Sequence, residues 1–329
     1  MLVSDTAAFR RFWYPLGFVD RLAGRPHHRR LLGSDLVVWI DPDGEASVAA
    51  DRCPHRDARL SAGWQCDDGA IVCPYHGWEY GSDGKVRAIP ALEPGSTLPP
   101  KAQLDLVTST VRYGIVWASL DPDPIGGIPE LPEYDDDGWW NLHEFDDEWA
   151  CSAPHLLDNN MDGAHLSFVH SGTFGSDDTR VPSPRLVERT AEGIRMATVL
   201  PIKAKPGDVG ESERNLTIDV VGPFLGVFRI EYPDGLVHIM VKGCVPVDDS
   251  TSRLVQLVMR NDAGDPLAVE EIVRFDTKVQ EEDRHILDAL PPAYATDLTA
   301  NVHLKCDRGS VELRRMYADM AAGDLPPYA

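Results

Sequence analysis

Positive charge is scarce in this chain: 31 lysines and arginines stand against 53 aspartates and glutamates, for a net charge of −22. A surface of that sign repels nucleic acid and anionic membrane, which argues against both as partners. No stretch approaches the roughly 18 apolar residues that a membrane span requires. The opening "MLVSDTAAFRRFWYPLGF" lacks the layout of a signal peptide. Cysteine is sparse as well. Of the six, Cys66, Cys151, Cys244 and Cys306 show no paired spacing and read as reduced, mostly buried thiols of a cytoplasmic protein. Internal repeats, low-complexity tracts and the glycine loops that bind flavins or nucleotides are missing too. What is left is ordinary globular composition, 43% hydrophobic and 26% charged, in 329 residues, a length that suggests two domains with ample core.

The other two cysteines sit in two loops of the same make. "RCPHRD" at 52–57 offers Cys53 and His55, and "CPYHGW" at 73–78 offers Cys73 and His76, with a proline inside each loop. The proline fixes one part of the turn and Gly77 frees the next, which suits a tight loop with side chains pointing inward. The whole reads Cys-x-His, 17 residues, Cys-x-x-His. Structural zinc also uses two Cys and two His, but its finger order is a Cys pair followed by a His pair carried on a helix. Here each loop supplies one of each type. The arrangement resembles a Rieske [2Fe-2S] cluster, in which two Cys hold one iron and two His the other.

Around these loops the chain reads as strands and turns. "DLVVWIDPDGEASVAADRC" is a strand, an Asp-Pro-Asp-Gly turn and a second strand entering the first loop, and "GWEYGSDGKVRAIP" repeats that hairpin logic. "TSTVRYGIVWASL" closes the region as a strand pair or one bent strand. The Pro-, Gly- and Asp-rich "DPDPIGGIPELPEYDDDGWW" reads as a linker. Strands return over 185–260, bracketed by helices near 152–170 and 265–290. The expected architecture is α+β: an N-terminal helical or extended segment over 1–35, an all-β metal domain over 36–125, and a catalytic domain over 126–329 whose sheet is mainly antiparallel.

"LLDNNMDGAHLSFVH" at 156–170 crowds Asp158, Asn159, Asp162, His165 and His170 into one segment. On a regular helix Asp162 and His165 share a face, whereas His165 and His170 lie about 140° apart. The two histidines could meet one ion only if the helix loosens or ends between them, at "VHSGTFG" or through a π-type turn. A capped helix with satisfied histidines is the other reading. A third ligand must come from elsewhere. The helix starting at Asp265 and Pro266 has an apolar stripe of Val269, Ile272, Val279, Ile286 and Leu290. Asp276 and Asp283 fall on that stripe; Glu281, Glu282 and Arg284 do not. A carboxylate aimed at a core is costly unless paired or metal-bound, so Asp283 is a candidate ligand, with a loop cap or an arginine partner as the alternative. Two His and one carboxylate make the facial triad of non-haem Fe(II) oxygenases.

Taken together, "CPHR…CPYHGW", "NNMDGAHLSFVH" and "VQEEDRHILDAL" resemble the terminal oxygenase component of Rieske non-haem iron oxygenases, nearly end to end. The resemblance implies that His165, His170 and Asp283 hold the mononuclear iron, and that Asn159 lies near it. It implies that Asp162 carries electrons from a cluster histidine of a neighbouring subunit to an iron histidine. It further implies a helix-grip catalytic domain, a homotrimer, O2 as co-substrate, and NAD(P)H used through a separate reductase, with or without a ferredoxin. The compact length and "PALEPGSTLPP" look most like single-subunit O-demethylases of the vanillate and dicamba type, close to enzymes that hydroxylate or trim natural products. The expected reaction is therefore hydroxylation or oxidative dealkylation of a small organic molecule. A cis-dihydroxylating dioxygenase, a Rieske electron carrier and a zinc-stabilised binding module are the rivals. "FLGVFRIEY" and "LVHIMVKGC" are expected to line the pocket. Alternation leaves open whether His238, Met240 and Lys242 or Ile239, Val241 and Gly243 face it.

Overall fold

The computed structural model describes residues 1–176, 184–202, 212–262 and 266–326. The chain forms two compact units, Arg10–Ile125, and Gly126–Ala329 joined by Met1–Phe9.

The first unit contains β1 (Tyr14–Phe18), α1 (Val19–Leu22), β2 (His27–Leu31), β3 (Ser34–Ile40), β4 (Ala46–Ala50), β5 (Trp64–Gln65), β6 (Ile71–Val72), β7 (Glu79–Tyr80), β8 (Val86–Ala88), β9 (Thr108–Arg112) and β10 (Ile115–Ser119). They make three small antiparallel sheets, ordered β1-β10-β9, β2-β3-β4 and β5-β6-β7-β8. Strands β1 and β2 come from the N-terminal segment, so its part from Arg10 onward is woven into this unit's sheets. "TSTVRYGIVWASL" is a strand pair: Tyr113 and Gly114 both take positive φ, as a two-residue hairpin turn requires. The β3–β4 turn is held by Asp41, whose Oδ1 accepts the N–H groups of Asp43 and Glu45 at 3.0 and 2.9 Å. The core joins Val37, Trp39, Leu60, Ile71 and Tyr80 to the two loop cysteines, Cys53 and Cys73.

The second unit contains β11 (Trp140–Trp149), α2 (Ala153–Met161), α3 (Leu166–Val169), β12 (Leu186–Arg189), β13 (Gly193–Ile202), β14 (Ser212–Val221), β15 (Leu225–Glu231), β16 (Val237–Pro246), β17 (Ser252–Arg260), α4 (Pro266–Leu287) and α5 (Arg308–Ala322). One antiparallel sheet runs β11-β17-β16-β15-β14-β13-β12, so the first strand of the unit pairs with the last. Helix α2 packs on β16 and β17, and α5 packs on β12, β13 and α2. Helix α4 lies along β11. Asp276 bonds Glu144, and Arg284 Nη1 donates to the Glu148 carbonyl at 2.8 Å. Four strand residues span about 13 Å and eight helical residues about 12 Å, so the two elements keep step. This is the helix-grip arrangement, and the fold is α+β.

Lys242 settles the face of β16. Its ammonium donates to Asn160 Oδ1 at 2.8 Å, so His238, Met240 and Lys242 look toward the helices. On α4 the expected stripe needs correction. Ile286 and Leu290 are exposed at 47% and 37%, and Leu287 is buried instead. Steps of seven lag an α-helix by about 20° each, so a stripe counted in sevens walks off the packed face. Pro266 opens the helix as expected, whereas Asp265 lies outside the described residues. Helix α5 had no counterpart in the sequence reading.

A bulge in β11 makes Glu144 the extra residue between His143 and Phe145, and its side chain is buried against Asp276 and Gln256. Burial pushes the Glu144 carboxyl up to about 9; the charge of Asp276 adds to the rise, while Gln256 and Lys242 oppose it. Burial raises Asp276 likewise, so the pair keeps a proton at neutral pH. An unfolded glutamate loses that proton near its ordinary value of 4.5. Between these values the native state binds more protons than the unfolded one, and stability falls as pH rises. Glu144→Gln is expected to flatten that decline, by on the order of 1 kcal/mol per pH unit crossed. Thermal melts from about pH 5 to about pH 9 check it, and a variant with the wild-type slope would show that the pair holds no proton.

Candidate metal centres

The two loops of the first unit are copies of one backbone design. Cys53 N donates to Ala58 O and Asp57 N to Cys53 O, each at 2.9 Å; Cys73 N donates to Trp78 O at 2.9 Å and Gly77 N to Cys73 O at 3.0 Å. The fourth residue after each cysteine takes a left-handed backbone, Asp57 with φ 57° and Gly77 with φ 69°. Aspartate tolerates that region better than most residues, which explains why only one loop needs glycine. The loops bring Cys53, His55, Cys73 and His76 together. Both cysteines are 1% exposed, and the His55 and His76 ring centroids lie 4.5 Å apart, with His76 exposed and His55 half-buried. Trp78 stacks on His55 at 4.6 Å and 7°. The Tyr80 hydroxyl lies 3.3 Å from Cys53 Sγ. Burial, aided by the adjacent Cys53 thiol, pushes the Cys73 thiol up, and burial with the nearby His76 and Arg56 charges pushes His55 down. A neutral imidazole is the ligating form, and the paired sulfurs with paired imidazoles match the donor set of a Rieske cluster.

In the second unit α2 stops at Met161, and Asp162 turns to an extended backbone with φ −85° and ψ 129°. His165 then precedes α3 and His170 follows it. The expected single segment over 152–170 is thus corrected at one point: it is broken at Asp162, ahead of both histidines, while the helix end expected between them at "VHSGTFG" falls at Val169. The break at Asp162 is the unexpected one. Its cause is local. Asp162 Oδ1 accepts the Ala164 N–H at 2.7 Å, a side-chain turn that competes with the helical ladder. Gly175 closes the far side, since a Cβ there would lie 2.2 Å from the Leu166 carbonyl oxygen. The short α3 presents His165 Nε2 and His170 Nε2 to each other at 3.3 Å. Asp283 Oδ1, from α4, lies 3.6 Å from the first and 3.2 Å from the second. The three ligand atoms fall within 4.8 Å of one another, and Asp283 Oδ1 is buried with no hydrogen-bond partner among the described residues. Electron pairs converging on one point call for a cation, and two imidazoles with one carboxylate could hold Fe(II).

Asp162 and Asn159 flank these atoms. Asp162 Oδ2 lies 3.4 Å from His165 Nδ1. Burial drives the Asp162 carboxyl up, but His165 and the Ala164 N–H outweigh it and hold it below the ordinary range. Asn159 bonds Asp283, whose carboxyl is likewise raised by burial and lowered further by His170, His165 and Asn159. One contributor escaped the sequence reading. Periodicity placed Glu282 off the buried stripe, yet its Oε2 lies 3.0 Å from His170 Nδ1 and accepts the Thr173 hydroxyl at 2.7 Å. The stripe describes what faces the sheet; Glu282 is covered from the flank by residues 171–174. Lys278 fastens that turn to α4 by donating to Gly172 O at 3.0 Å. The signal was available, because a histidine ligand commonly gives its other nitrogen to a carboxylate.

Removing such a partner lowers metal affinity about 10- to 100-fold. Glu282→Ala is therefore expected to weaken metal binding at His165, His170 and Asp283 by that factor, and Asp283→Ala to abolish it. Iron content after dialysis against graded chelator checks both. Wild-type retention by Glu282→Ala would mean that this carboxylate does not orient His170.

Residues 12–109 match the Rieske [2Fe-2S] domain, and residues 149–323 match the vanillate O-demethylase oxygenase C-terminal domain. The methylxanthine N3-demethylase NdmB of Pseudomonas putida is 26% identical over 332 residues, covering 97% of this chain and 92% of that enzyme. The structure of Pseudomonas putida CBB5 NdmA with caffeine superposes with a TM-score of 0.82 at 25% identity, over 97% of this chain and 93% of that one. Dicamba monooxygenase bound to dicamba shares the fold, with a TM-score of 0.82 at 20% identity over 96% and 98% of the two chains. The second match alone spans more than half of the chain, and the two together take in every residue of both candidate centres. The chain belongs to the Rieske non-haem iron oxygenases of the vanillate O-demethylase type.

Proposed function

We propose that this oxygenase removes a methyl or other small alkyl group from, or hydroxylates, a small organic molecule, using O2 and electrons drawn from NAD(P)H by a separate reductase, with or without a ferredoxin. The observation that carries the reading is the presence in one chain of two donor sets of different chemistry, one of sulfur and imidazole and one of imidazole and carboxylate. Cys53 and Cys73 would hold the inner iron of the cluster and His55 and His76 the outer one. His165, His170 and Asp283 would hold a mononuclear Fe(II), which supplies the dioxygen chemistry when bound. Glu282 and Asp162 set the planes of the two imidazoles, and Asn159 steadies the carboxylate. Asp162 also joins the centres across a subunit boundary, which requires an oligomer, a homotrimer on this reading, working in the cytoplasm. A substrate carbon that bears O or N collapses after hydroxylation to an aldehyde and the dealkylated molecule.

Iron and acid-labile sulfide analysis tests the metal assignment, with two cluster irons and one mononuclear iron expected per chain. Cys73→Ser should lose the visible absorption of the cluster and keep the third iron; a normal spectrum would refute the ligand assignment. A zinc module would contain neither iron nor sulfide, and an electron carrier would lack the third iron. Labelled dioxygen separates a monooxygenase, which incorporates one atom of O2, from a dioxygenase, which incorporates both.

Asp162→Asn tests the relay. The variant should keep its cluster, its mononuclear iron and its oligomer. Reoxidation of its reduced cluster by O2 with substrate present should become very slow in a single turnover. Normal cluster oxidation and product yield in an iron-replete variant would sink the relay and leave Asp162 an orienting residue.

A further inference from the structure

The wall of the second unit that faces α4 carries polar groups that the metal site does not use. Asp276 lies two helical turns before Asp283 on the same face of α4, about 10 Å along the axis, a span that a small ring compound bridges. Opposite it, Glu144 and Gln256 are 6% and 2% exposed. Gln256 Nε2 donates to Glu144 Oε2 at 2.6 Å, and Glu144 and Asp276 share a hydrogen bond. Gln256 pairs in register with Lys242, so this row of the sheet begins beside the metal site: Lys242 bonds Asn160, and the preceding Asn159 bonds Asp283. Beyond the hydrogen bond that the two acids share, one buried acceptor here has no partner among the described residues, Gln256 Oε1. Buried polar atoms are normally satisfied, and an orphan in a dry wall points to a ligand that completes it.

We propose that Glu144, Asp276 and Gln256 are the substrate-orienting wall of this oxygenase, and that they take an uncharged molecule carrying a hydrogen-bond donor beside an acceptor, such as an amide, lactam or imide. The proposal rests on reading His165, His170 and Asp283 as the iron site. A carboxyl pair with one shared proton offers an acceptor and a donor side by side, and Gln256 Oε1 adds a second acceptor. Burial and the mutual repulsion of the two acids keep that proton in place, against the pull of Lys242 on β16 and of Arg260 on β17. A carboxylate substrate would bring a further negative charge to the pair. The nearby cations are engaged, Lys242 by Asn160 and Arg260 by Asp262 at 3.0 and 2.5 Å.

The probes are 3-methoxybenzamide and 3-methoxybenzoate, which share a skeleton and differ in the group the wall would read. Each is titrated calorimetrically into anaerobic enzyme whose iron and sulfide have been measured beforehand. The amide is expected to bind at least about tenfold more tightly. In the isosteric double variant Glu144→Gln, Asp276→Asn that preference should fall by about tenfold, with the metal content kept. Gln256→Met alone should weaken the amide by about tenfold and leave the benzoate unchanged. Equal affinities in the wild type, no measurable amide binding, or an unaltered preference in the variants would overturn the proposal and mean that the pair holds ordered water only. Should the variants fail to fold, the wild-type comparison still decides. Missing iron or sulfide in the wild type would instead overturn the oxygenase reading beneath it.

Discussion

Three electron-pair donors, His165 Nε2, His170 Nε2 and Asp283 Oδ1, are held within 4.8 Å of one another, and much of the second unit is arranged to allow it. Such a convergence is repulsive until a positive charge sits among the donors, so the surrounding structure must supply both the constraint and the compensation. The constraint is geometric. A continuous helix would turn the two imidazoles about 140° apart, and the chain avoids this by leaving α2 at Asp162 and winding a single short turn between the histidines. The compensation is electrostatic. Burial alone would favour a neutral His170, yet Asp283 and Glu282 raise it above the ordinary histidine value, a measure of how strongly this point attracts positive charge.

The cluster loops solve a different problem with the opposite polarity of placement. Their cysteines belong to the hydrophobic core of the first unit, whereas His76 is exposed and His55 half-buried. Thiolates buried among Trp39, Leu60 and Tyr80 would be shielded from solvent and oxidants, and the Tyr80 hydroxyl beside Cys53 offers one sulfur a hydrogen bond. Bonds of that kind tune the potential of an iron–sulfur cluster. The imidazole edge is the face that another protein surface can approach. One backbone design used twice therefore yields an inner side that protects and an outer side that can pass electrons on.

The sequence shows this division unevenly, for reasons visible in particular residues. The cluster loops were legible because their ligands are local: each Cys and His is fixed by a turn of a few residues, and the prolines and Gly77 announce those turns. The β3–β4 and β7–β8 hairpins were legible on the same ground. Asp283 was legible because a charged residue on an apolar stripe breaks a pattern that helical periodicity makes regular. Glu282 was not, because its burial comes from the flank, where residues 171–174 fold over α4, and periodicity registers only the face turned to the sheet. The break at Asp162 was not legible, because the decisive bond, Asp162 Oδ1 to the Ala164 N–H, is a side-chain choice that leaves the apolar spacing untouched, whereas the helix end before His170 was announced by "VHSGTFG". Helix α5 carried a signal that went unread: Leu313, Met316, Tyr317 and Met320 recur at helical spacing, all buried, and Gly323 ends the helix with φ 95°.

The acids of the second unit show what kind of information was missing. Asp158, Asp276 and Asp283 all lie largely inside; burial raises the carboxyl at the first two, while at Asp283 His170, His165 and Asn159 outweigh it and hold the carboxyl below its ordinary range. A buried carboxylate must find a cation, a proton or a metal, and each of these three finds a different partner. Asp158 has Arg314 at 3.0 Å, from a helix 156 residues further along the chain. Asp276 has Glu144 and a shared proton, an outcome that depends on a bulge in β11 which no periodicity reveals. Asp283 has two histidines that converge only because a helix stops early. The apolar pattern around an inward acid states the requirement for a partner, and it states nothing about which of the three will meet it. That choice is made by long-range pairing, β11 against β17 and α4 along β11. The same pairing places a carboxyl pair and a carboxylate that faces two histidines on one face of one helix, two turns apart.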